Sequence, residues 1–216
     1  MNKQTKTQAP GRVILLNGSS SSGKTTLALT LQRILEEPWQ HVALDQFRDG
    51  LPGKVRGLNS PPGTPGDQGL NIVPVDLNGE RVTEVRFGEF GEAVLRAMRR
   101  AVAELACQGV NVVVDDLLFK PEYLTDYRKV LAGLDVWFVG VRCARGVVEE
   151  REAKRPGRFP GTAISHFETV HAHGLAYDIE VDTSHLDPSS CARQIARGLL
   201  KAPAAFLTNA TVEHET

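Results

Sequence analysis

A glycine- and serine-rich loop near the N-terminus constrains the fold of this chain more than any other feature. Residues 18–25 read G-S-S-S-S-G-K-T, which matches the GxxxxGK(S/T) pattern of a phosphate-binding loop. An apolar run at residues 13–16 precedes the loop, and a helix-like run begins at Lys24. A strand, this loop and a helix in that order predict a unit that binds a polyphosphate. The alternative is a flexible Ser/Gly-rich loop, and the flanking elements argue against it.

Each residue type in the loop has a role in holding phosphate. Gly18 and Gly23 let the turn aim backbone N–H groups inward without Cβ clashes. Lys24 is expected to reach the β- and γ-phosphates, and Thr25 to place its hydroxyl on Mg²⁺. The helix beginning near Lys24 points its positive end at the anion. The predicted phosphate-binding set is Gly18, Ser19, Ser20, Ser21, Ser22, Gly23, Lys24, Thr25 and Thr26.

Composition narrows the class of protein. The 216 residues fit one domain, with or without an inserted lid. A formal net charge of −1 provides no basic field, so neither nucleic acid nor a membrane is expected as a partner. The cysteines lie far apart without ligand spacing, which predicts neither a disulfide framework nor a zinc site. We expect a cytoplasmic protein without a signal peptide or membrane span, either a monomer or a homo-oligomer.

Hydrophobic periodicity predicts that strands and helices alternate. The predicted strands are 13–17, 41–45, 110–115, 135–141 and 178–181. The predicted helices are 24–35, 90–107, 121–131, 144–154, 162–171 and 188–201. Strands that are apolar throughout belong in a parallel sheet covered on both faces. The predicted fold is a three-layer α/β/α P-loop NTPase or kinase fold with a mostly parallel central sheet and a small hairpin/loop insertion.

The insertion is predicted at about residues 48–86. Residues 48–69 are dense in Gly and Pro, which predicts a lid or substrate loop without regular elements, or a disordered segment. Segments 71–75 and 81–85 alternate in polarity around Asn78-Gly79, which is a strong hairpin signal.

Two acidic positions lie at the carboxyl ends of predicted strands, where open parallel sheets bind their ligands. Asp45 ends an apolar run, and a carboxylate there can take the proton of an attacking hydroxyl or hold that hydroxyl in line. Asp45 can instead cap a helix. The pair Asp115-Asp116 follows three valines, as in a Walker B segment, so one of its carboxylates can hold Mg²⁺. We favour Asp115 as the metal ligand, with capping of the next turn as the alternative.

A group of arginines begins where the fourth predicted strand ends, and comprises Arg142, Arg145, Arg151, Arg155 and Arg158. Arginines on a mobile segment can close over the negative charge that develops in phosphoryl transfer. A solvated helix of ion pairs with neighbouring glutamates is the alternative. We predict an arginine lid at about residues 142–162. In this prediction Arg151 and Arg155 are catalytic together with Asp45 and Lys24, and Arg142 and Arg158 bind the nucleotide.

Two polar segments near the C-terminus have weaker signals. His171 and His173 are expected on the surface or packed, because an i, i+2 pair does not share a helix face and no third ligand is evident. The turn at residues 182–184 either borders the nucleotide base or caps the final helix.

Several stretches resemble the chloramphenicol phosphotransferase family. The longest are LDVWFVGVRC at 134–143 and YDIEVDTSH at 177–185, and shorter ones are ILLNG at 14–18, EPW at 37–39, LD at 44–45 and VDD at 114–116. Arg151, Arg155 and Arg158 also match. The resemblance covers about residues 12–200 and implies an ATP-dependent O-phosphotransferase of the P-loop kinase fold. In the type enzyme the acceptor is the primary hydroxyl of chloramphenicol, so the resemblance also implies a role in antibiotic resistance.

The resemblance also assigns roles along this chain. It implies that Asp45 is the general base, that ATP binds at residues 18–25, and that the lid arginines cover the phosphates. Residues 59–69 look like an insertion relative to the type enzyme, in the region expected to contact the acceptor. We therefore expect a kinase domain at 11–203 between disordered tails at 1–10 and 204–216, acting on a small hydroxylated molecule. A kinase for another metabolite or a nucleotide, and an NTP-dependent regulatory switch, are the alternatives.

Overall fold

The computed structural model describes residues 9–207 of the protein. Its strands are β1 (Val13–Asn17), β2 (Trp39–Ala43), β3 (Arg56–Leu58), β4 (Leu70–Leu77), β5 (Glu80–Phe87), β6 (Asn111–Asp116), β7 (Val136–Arg142) and β8 (Ile179–Asp182). Its α-helices are α1 (Lys24–Ile34), α2 (Leu44–Asp49), α3 (Pro65–Gln68), α4 (Glu89–Cys107), α5 (Pro121–Val130), α6 (Arg145–Ala153) and α7 (Pro188–Gly198). Short 3₁₀ helices lie at Gly53–Val55, Ile164–His166 and Thr169–His171.

The central sheet is parallel and has the strand order β2-β6-β1-β7-β8. In the register of its strands, Asp115 of β6 lies opposite both Leu16 of β1 and Ala43 of β2. The carboxyl ends of these three strands therefore meet at one edge. The phosphate loop leaves the sheet at this edge, between β1 and α1.

Both faces of the sheet are buried. Alternate residues of the strands pack with α1 and α7 in one apolar cluster, which includes Ile14, Leu16, Leu27, Val113, Val139 and Ile195. The intervening residues pack with α4 and α5 in a second cluster, which includes Val13, Leu15, Leu95, Met98, Val112, Val114 and Tyr127. Because adjacent residues of a strand point to opposite faces, this division produces three layers. The predicted α/β/α fold is confirmed.

The insertion forms a second, small sheet with the order β3-β4-β5. Strands β4 and β5 are an antiparallel hairpin, and the turn residues Asn78 and Gly79 have φ angles of 54° and 84°. Two adjacent positive φ angles are typical of a type I′ turn, so the hairpin prediction is confirmed.

The prediction that residues 48–69 lack regular elements is wrong, because the segment contains α2's end, β3 and α3. Asn71 of β4 organises it: its side chain accepts from Ser60 N at 3.0 Å and donates to Ser60 O at 2.9 Å. The side chain of a residue outside the segment thus orders it, and the composition of the segment itself does not reveal this contact.

Two other predicted elements differ. Strand β2 ends at Ala43 rather than at Asp45, and α2 begins at Leu44. The Gln46 side chain accepts from Ala43 N at 3.0 Å, which favours the start of the helix at this point. The predicted helix at 162–171 is two 3₁₀ turns instead. Its leading N–H groups, those of Gly161 and Ala163, donate to the carboxylate of Glu152 at 2.9 and 2.7 Å.

At the C-terminal end the described chain continues to Leu207, and part of the predicted tail packs against the domain. Ala205 is buried and the ring of Phe206 lies 5.8 Å from that of Phe138. The remainder of the two predicted tails, residues 1–8 and 208–216, lies outside the described residues. Among residues 9–207, none of the helices has the length and apolar character needed to cross a bilayer.

Candidate active site

The phosphate loop has the backbone geometry that its glycines suggested. A Cβ on Gly18 would collide with the carbonyl oxygen of Val141, and Gly23 has a φ of 94°, in the left-handed region that favours glycine. Ser21 also has a positive φ, 61°. The hydroxyl oxygens of Ser21 and Ser22 are buried, and within the described chain they have no hydrogen-bond partner. Ser21 also lines the cavity in front of the loop, so its hydroxyl is a polar group that a ligand can satisfy.

Lys24 lies buried at the base of this loop. Its Nζ donates to Gly18 O at 2.8 Å and to Ser19 O at 2.9 Å, and lies 3.9 Å from Asp115 Oδ1. Burial lowers the pKa of Lys24, and the nearby carboxylate of Asp115 opposes that shift. An anion in the loop would supply the partner that favours the charged ammonium.

The adjacent carboxylates of β6 point to opposite faces of the sheet. Asp115 accepts the Thr25 hydroxyl at 2.5 Å on the α1 side. Asp116 instead accepts from Tyr127 Oη at 2.8 Å and from Leu117 N at 2.7 Å, and burial raises its pKa. The geometry therefore places Asp115, the residue favoured from the sequence, beside the phosphate loop.

Thr25 and Asp115 provide oxygen ligands of the kind that Mg²⁺ prefers. In the part of the chain that the structure describes, no group of three or more His, Cys, Asp or Glu residues is arranged to hold a metal. Since Mg²⁺ usually takes one or two protein ligands together with phosphate oxygens and water, the Thr25–Asp115 pair fits that ion at a nucleotide site.

Asp45 lies in the first turn of α2 and not at a strand end. Its carboxylate binds Arg48 Nη1 at 2.6 Å and lies 3.5 Å from Arg158 Nη2, and its side chain is 45% exposed. It does not cap α2, whose N-cap is Ala43. Two guanidinium groups thus orient an accessible carboxylate toward the space beside the loop.

The arginines of the predicted lid separate into two groups. Arg151 donates from Nη2 to Thr183 O at 2.7 Å and from Nη1 to Ser22 O at 3.4 Å, which ties α6 to the phosphate loop. Arg155 and Arg158 follow α6 and line the space in front of the loop. Arg142 lies elsewhere: it pairs with Glu180 at 2.7 Å and covers the ring of Tyr177. The structure does not bring Arg142 to the loop.

A cavity of about 850 Å³ lies in front of the loop. The predicted site residues that line it are Ser20, Ser21, Gly23, Lys24, Thr25, Thr26, Asp45, Asp115, Arg151, Arg155 and Arg158. Of the rest of the predicted phosphate-binding set, Ser19 and Ser22 are buried behind the loop surface, and Gly18 lies against Val141. Most of the predicted site therefore surrounds one space.

A second cavity of about 510 Å³ adjoins the first. The insertion and the segment after α6 form its walls, and Asp45, Arg48, Val85, Arg155, Arg158 and Thr162 line both cavities. Asp45 therefore stands where the two spaces meet.

Sequence reasoning missed His166. Its Nε2 accepts the backbone N–H of Ser20 at 3.0 Å, and burial lowers its pKa to about 3, helped by the charges of Lys24 and Arg158. A neutral imidazole thus contacts the phosphate loop. The sequence carries no signal for this contact, because the pattern of residues 162–171 predicts a helix with no link to the loop.

The turn at residues 182–184 borders the site and does not cap the final helix. Thr183 Oγ1 donates to Ser22 O at 2.6 Å and lines the larger cavity, whereas Asp187 caps α7 by accepting from Ser189 N and Ser190 N. His171 and His173 are packed, each bonded to the hydroxyl of Tyr177 at 2.6 and 2.8 Å.

Comparison with known proteins decides the family. The sequence profile described as chloramphenicol phosphotransferase-like protein matches residues 11–199. The chain belongs to the chloramphenicol phosphotransferase-like family. Two curated relatives of this family member, from Mycobacterium tuberculosis strains CDC 1551 and H37Rv, are each named as candidate O-phosphotransferases. Each is 32% identical over 201 residues, which cover 89% of this chain and 84% of the relative.

Solved structures share the fold of this chloramphenicol phosphotransferase-like protein. An APS kinase of Mycobacterium tuberculosis in complex with AMPPNP and APS has a TM-score of 0.63 at 19% identity, covering 89% of this chain and 99% of its own. A sugar kinase from Janibacter sp. has a TM-score of 0.60 at 21% identity, covering 91% and 98%. A gluconokinase from Sinorhizobium meliloti has a TM-score of 0.57 at 19% identity, covering 89% and 93%. The fold is that of the P-loop kinases, and together with the family it supports a phosphotransferase.

Proposed function

We propose that this protein transfers the γ-phosphoryl group of ATP to a hydroxyl group of a small molecule. The observation that supports this most is the position of Asp45, where the cavity of the phosphate loop meets the second cavity. A nucleotide-driven switch needs only the first space. A kinase needs a second space for its acceptor and a carboxylate at the junction.

The larger cavity suits the triphosphate. The β- and γ-phosphates would lie against the loop N–H groups and Lys24, where the N-terminus of α1 adds its positive end. The exposed side chains of Leu29 and Leu186, together with Pro188, offer an apolar wall for the base on the far side. Mg²⁺ held by Thr25 and Asp115 would neutralise charge on the phosphate oxygens.

Asp45 acts on the acceptor. Its carboxylate takes the hydroxyl proton while the hydroxyl oxygen forms a bond to the γ-phosphorus, and the bond between that phosphorus and the β,γ-bridging oxygen breaks to release ADP. Arg48, at 2.6 Å, holds the carboxylate in position for this step. The proton remains on Asp45 until it passes to solvent, which regenerates the carboxylate, so the phosphorylated product, ADP and this proton balance the reaction.

The arginines after α6 stabilise the charge that spreads over the equatorial oxygens. Arg155 and Arg158 line both cavities, so they face the phosphoryl group from the side on which the acceptor enters. Arg151 holds the loop itself through Ser22 O and Thr183 O. Closure of this segment over both ligands would exclude water and limit ATP hydrolysis.

An acceptor screen tests the proposal. Purified protein with MgATP is offered hydroxylated small molecules, chloramphenicol and nucleosides among them, while ADP release is followed and products are weighed by mass spectrometry. We expect ADP release that depends on an acceptor, and a product heavier by one phosphoryl group. ADP release that instead depends on a macromolecular partner, with no phosphorylated small molecule, would support the regulatory switch.

A further inference from the structure

The second cavity has an excess of positive charge. Four arginines line it, namely Arg48, Arg56, Arg155 and Arg158, against the two carboxylates of Asp45 and Asp49. The γ-phosphoryl group can engage Arg155 and Arg158 from the side of the phosphate loop, but an uncharged acceptor would leave these guanidinium groups without an anion on the side of the second cavity, which is costly.

Two of these arginines form ion pairs with the two carboxylates. Arg48 binds Asp45 at 2.6 Å and Asp49 at 2.8 Å, and Arg56 lies 3.8 Å from Asp49. Arg56 also donates from Nε to Leu51 O at 3.1 Å, which fixes its side chain on the insertion. The acidic side chains of this cavity are therefore already engaged.

The other two arginines are less fully paired. Arg158 makes one long contact, at 3.5 Å, with Asp45, which Arg48 already binds, and within the described residues the Arg155 side chain makes no hydrogen bond or ion pair. Burial lowers the pKa of Arg158, and the charge of Arg155 lowers it further. By contrast, Arg142 and Arg145 on the same part of the chain are paired with glutamates at 2.7 and 2.8 Å.

Part of the lining of the cavity is apolar. Leu58, Ile72, Val85 and Phe159 line it, and Leu58 and Phe159 remain 69% and 42% exposed. Exposed apolar side chains beside a group of arginines suit a ligand with a carbon skeleton and an acidic group. The volume of about 510 Å³ limits that ligand to a small molecule.

We propose that the acceptor is an anionic hydroxyl compound, whose carboxylate, phosphate or sulfate group binds the arginines of the second cavity while its hydroxyl faces Asp45. This inference rests on the proposed function and names its substrate class. Arg56 lines the second cavity and not the first, so it contacts the acceptor without contacting the nucleotide. Arg155 and Arg158 lie between the γ-phosphate and the acid group of the acceptor, so both anions favour closure of the segment that carries them.

Matched acceptor pairs test the charge requirement. Gluconate is compared with sorbitol, and glycerol 3-phosphate with glycerol, because the members of each pair differ in an anionic group. Phosphoryl transfer is measured by ADP release, and binding by calorimetry on protein saturated with Mg²⁺ and AMPPNP, which fills the phosphate loop. We expect the anionic member of at least one pair to bind or react about tenfold better than its neutral partner.

A pair of isosteric variants tests whether a charge introduced in the second cavity changes the binding of the anionic ligand. Leu58 is largely exposed, so Leu58→Asp and Leu58→Asn are expected to fold, and they differ only in charge. Leu58→Asp should weaken the anionic ligand about tenfold relative to Leu58→Asn, with equal effects on AMPPNP. Arg56→Gln should raise the KM of the anionic acceptor by a similar factor, whereas Arg86→Gln, in the same small sheet but outside both cavities, should not.

The outcomes separate the two proposals. Equal use of the charged and neutral acceptors, or a preference for the neutral ones, would overturn the proposal of an anionic acceptor. It would also be overturned if no member of either pair bound and the Leu58→Asp and Leu58→Asn variants behaved identically. Transfer to neutral hydroxyl compounds alone would leave the phosphotransferase proposal intact. Loss of the phosphotransferase proposal requires that no acceptor of either charge stimulates ADP release.

Discussion

Nε2 of His166 accepts a hydrogen bond from the backbone N–H of Ser20, at 3.0 Å, inside the phosphate loop. Only a neutral imidazole can accept this bond, and His166 is buried near Lys24 and Arg158. Burial lowers its pKa to about 3, from an ordinary value near 6.5. The loop is therefore held in part by a group whose protonation would both break the bond and place a charge in the interior.

This contact predicts a pH dependence of stability. Between about pH 6.5 and pH 3 the unfolded chain binds a proton at His166 that the folded chain does not, so the free energy of unfolding falls as the pH falls through this range. His166→Gln keeps an acceptor but does not titrate. We expect the slope of unfolding free energy against pH, measured by urea denaturation from pH 7 to pH 5, to be smaller in this variant by up to about 1.4 kcal/mol per pH unit.

The lowered pKa values of His41, His171 and His173 also make the free energy of unfolding fall as the pH falls. These histidines are present in both the original protein and His166→Gln, so the difference between the two slopes isolates His166. Identical slopes would show that His166 does not titrate differently in the folded and unfolded chain.

The two carboxylates of β6 should have separable effects. Asp115→Asn removes a charge beside Thr25 and Lys24, so we expect a loss of kcat/KM on the order of 10²-fold with little change in unfolding free energy. Asp116→Asn disturbs a buried acceptor of Tyr127 and Leu117, so we expect it to destabilise the fold by about 1–3 kcal/mol. Steady-state kinetics at varied Mg²⁺ and urea denaturation distinguish them, and the reverse pattern would exchange their roles.

Much of the fold follows from the sequence because its signals are local. The apolar runs at residues 13–16 and 112–114 can be buried only in a sheet covered on both sides, and the phosphate loop between β1 and α1 places one edge of that sheet at a ligand. Asn78-Gly79 likewise specifies its own turn. In each case the determining residues lie within a few positions of the structure that they form.

What the sequence did not reveal depends on distant contacts. Residues 162–171 form 3₁₀ turns because Glu152 and Asn17 bind their backbone groups from elsewhere in the fold, and Asn71 orders the Gly/Pro-rich segment in the same way. His166 reaches the loop only through that folding. Arg142 lies at the end of its strand as predicted, but its side chain pairs with Glu180 and does not line the cavity at the loop.

Substitutions of Asp45 and Lys24 should impair different steps of the reaction. Asp45→Asn keeps the shape and loses the proton acceptor, so we expect kcat to fall on the order of 10²–10⁴-fold while the affinity for AMPPNP is kept. Lys24→Ala removes the ammonium from the loop and should weaken nucleotide binding as well as transfer. Nucleotide binding by calorimetry and transfer by ADP release check both. Near-normal transfer by Asp45→Asn, with transfer lost in Lys24→Ala, would show that Asp45 is not the base.

Two arginines of the predicted lid provide the last comparison. Arg151 binds Thr183 O at 2.7 Å and reaches Ser22 O, so Arg151→Gln should loosen the phosphate loop and raise the Kd for AMPPNP about tenfold. Arg142 makes a half-exposed pair with Glu180, so Arg142→Gln should change the AMPPNP affinity less than about twofold and the unfolding free energy by no more than about 0.5 kcal/mol. Calorimetric titration of both variants measures the difference. An equal loss in Arg142→Gln would mean that this side chain leaves Glu180 and joins the nucleotide when the site is filled, as the sequence predicted.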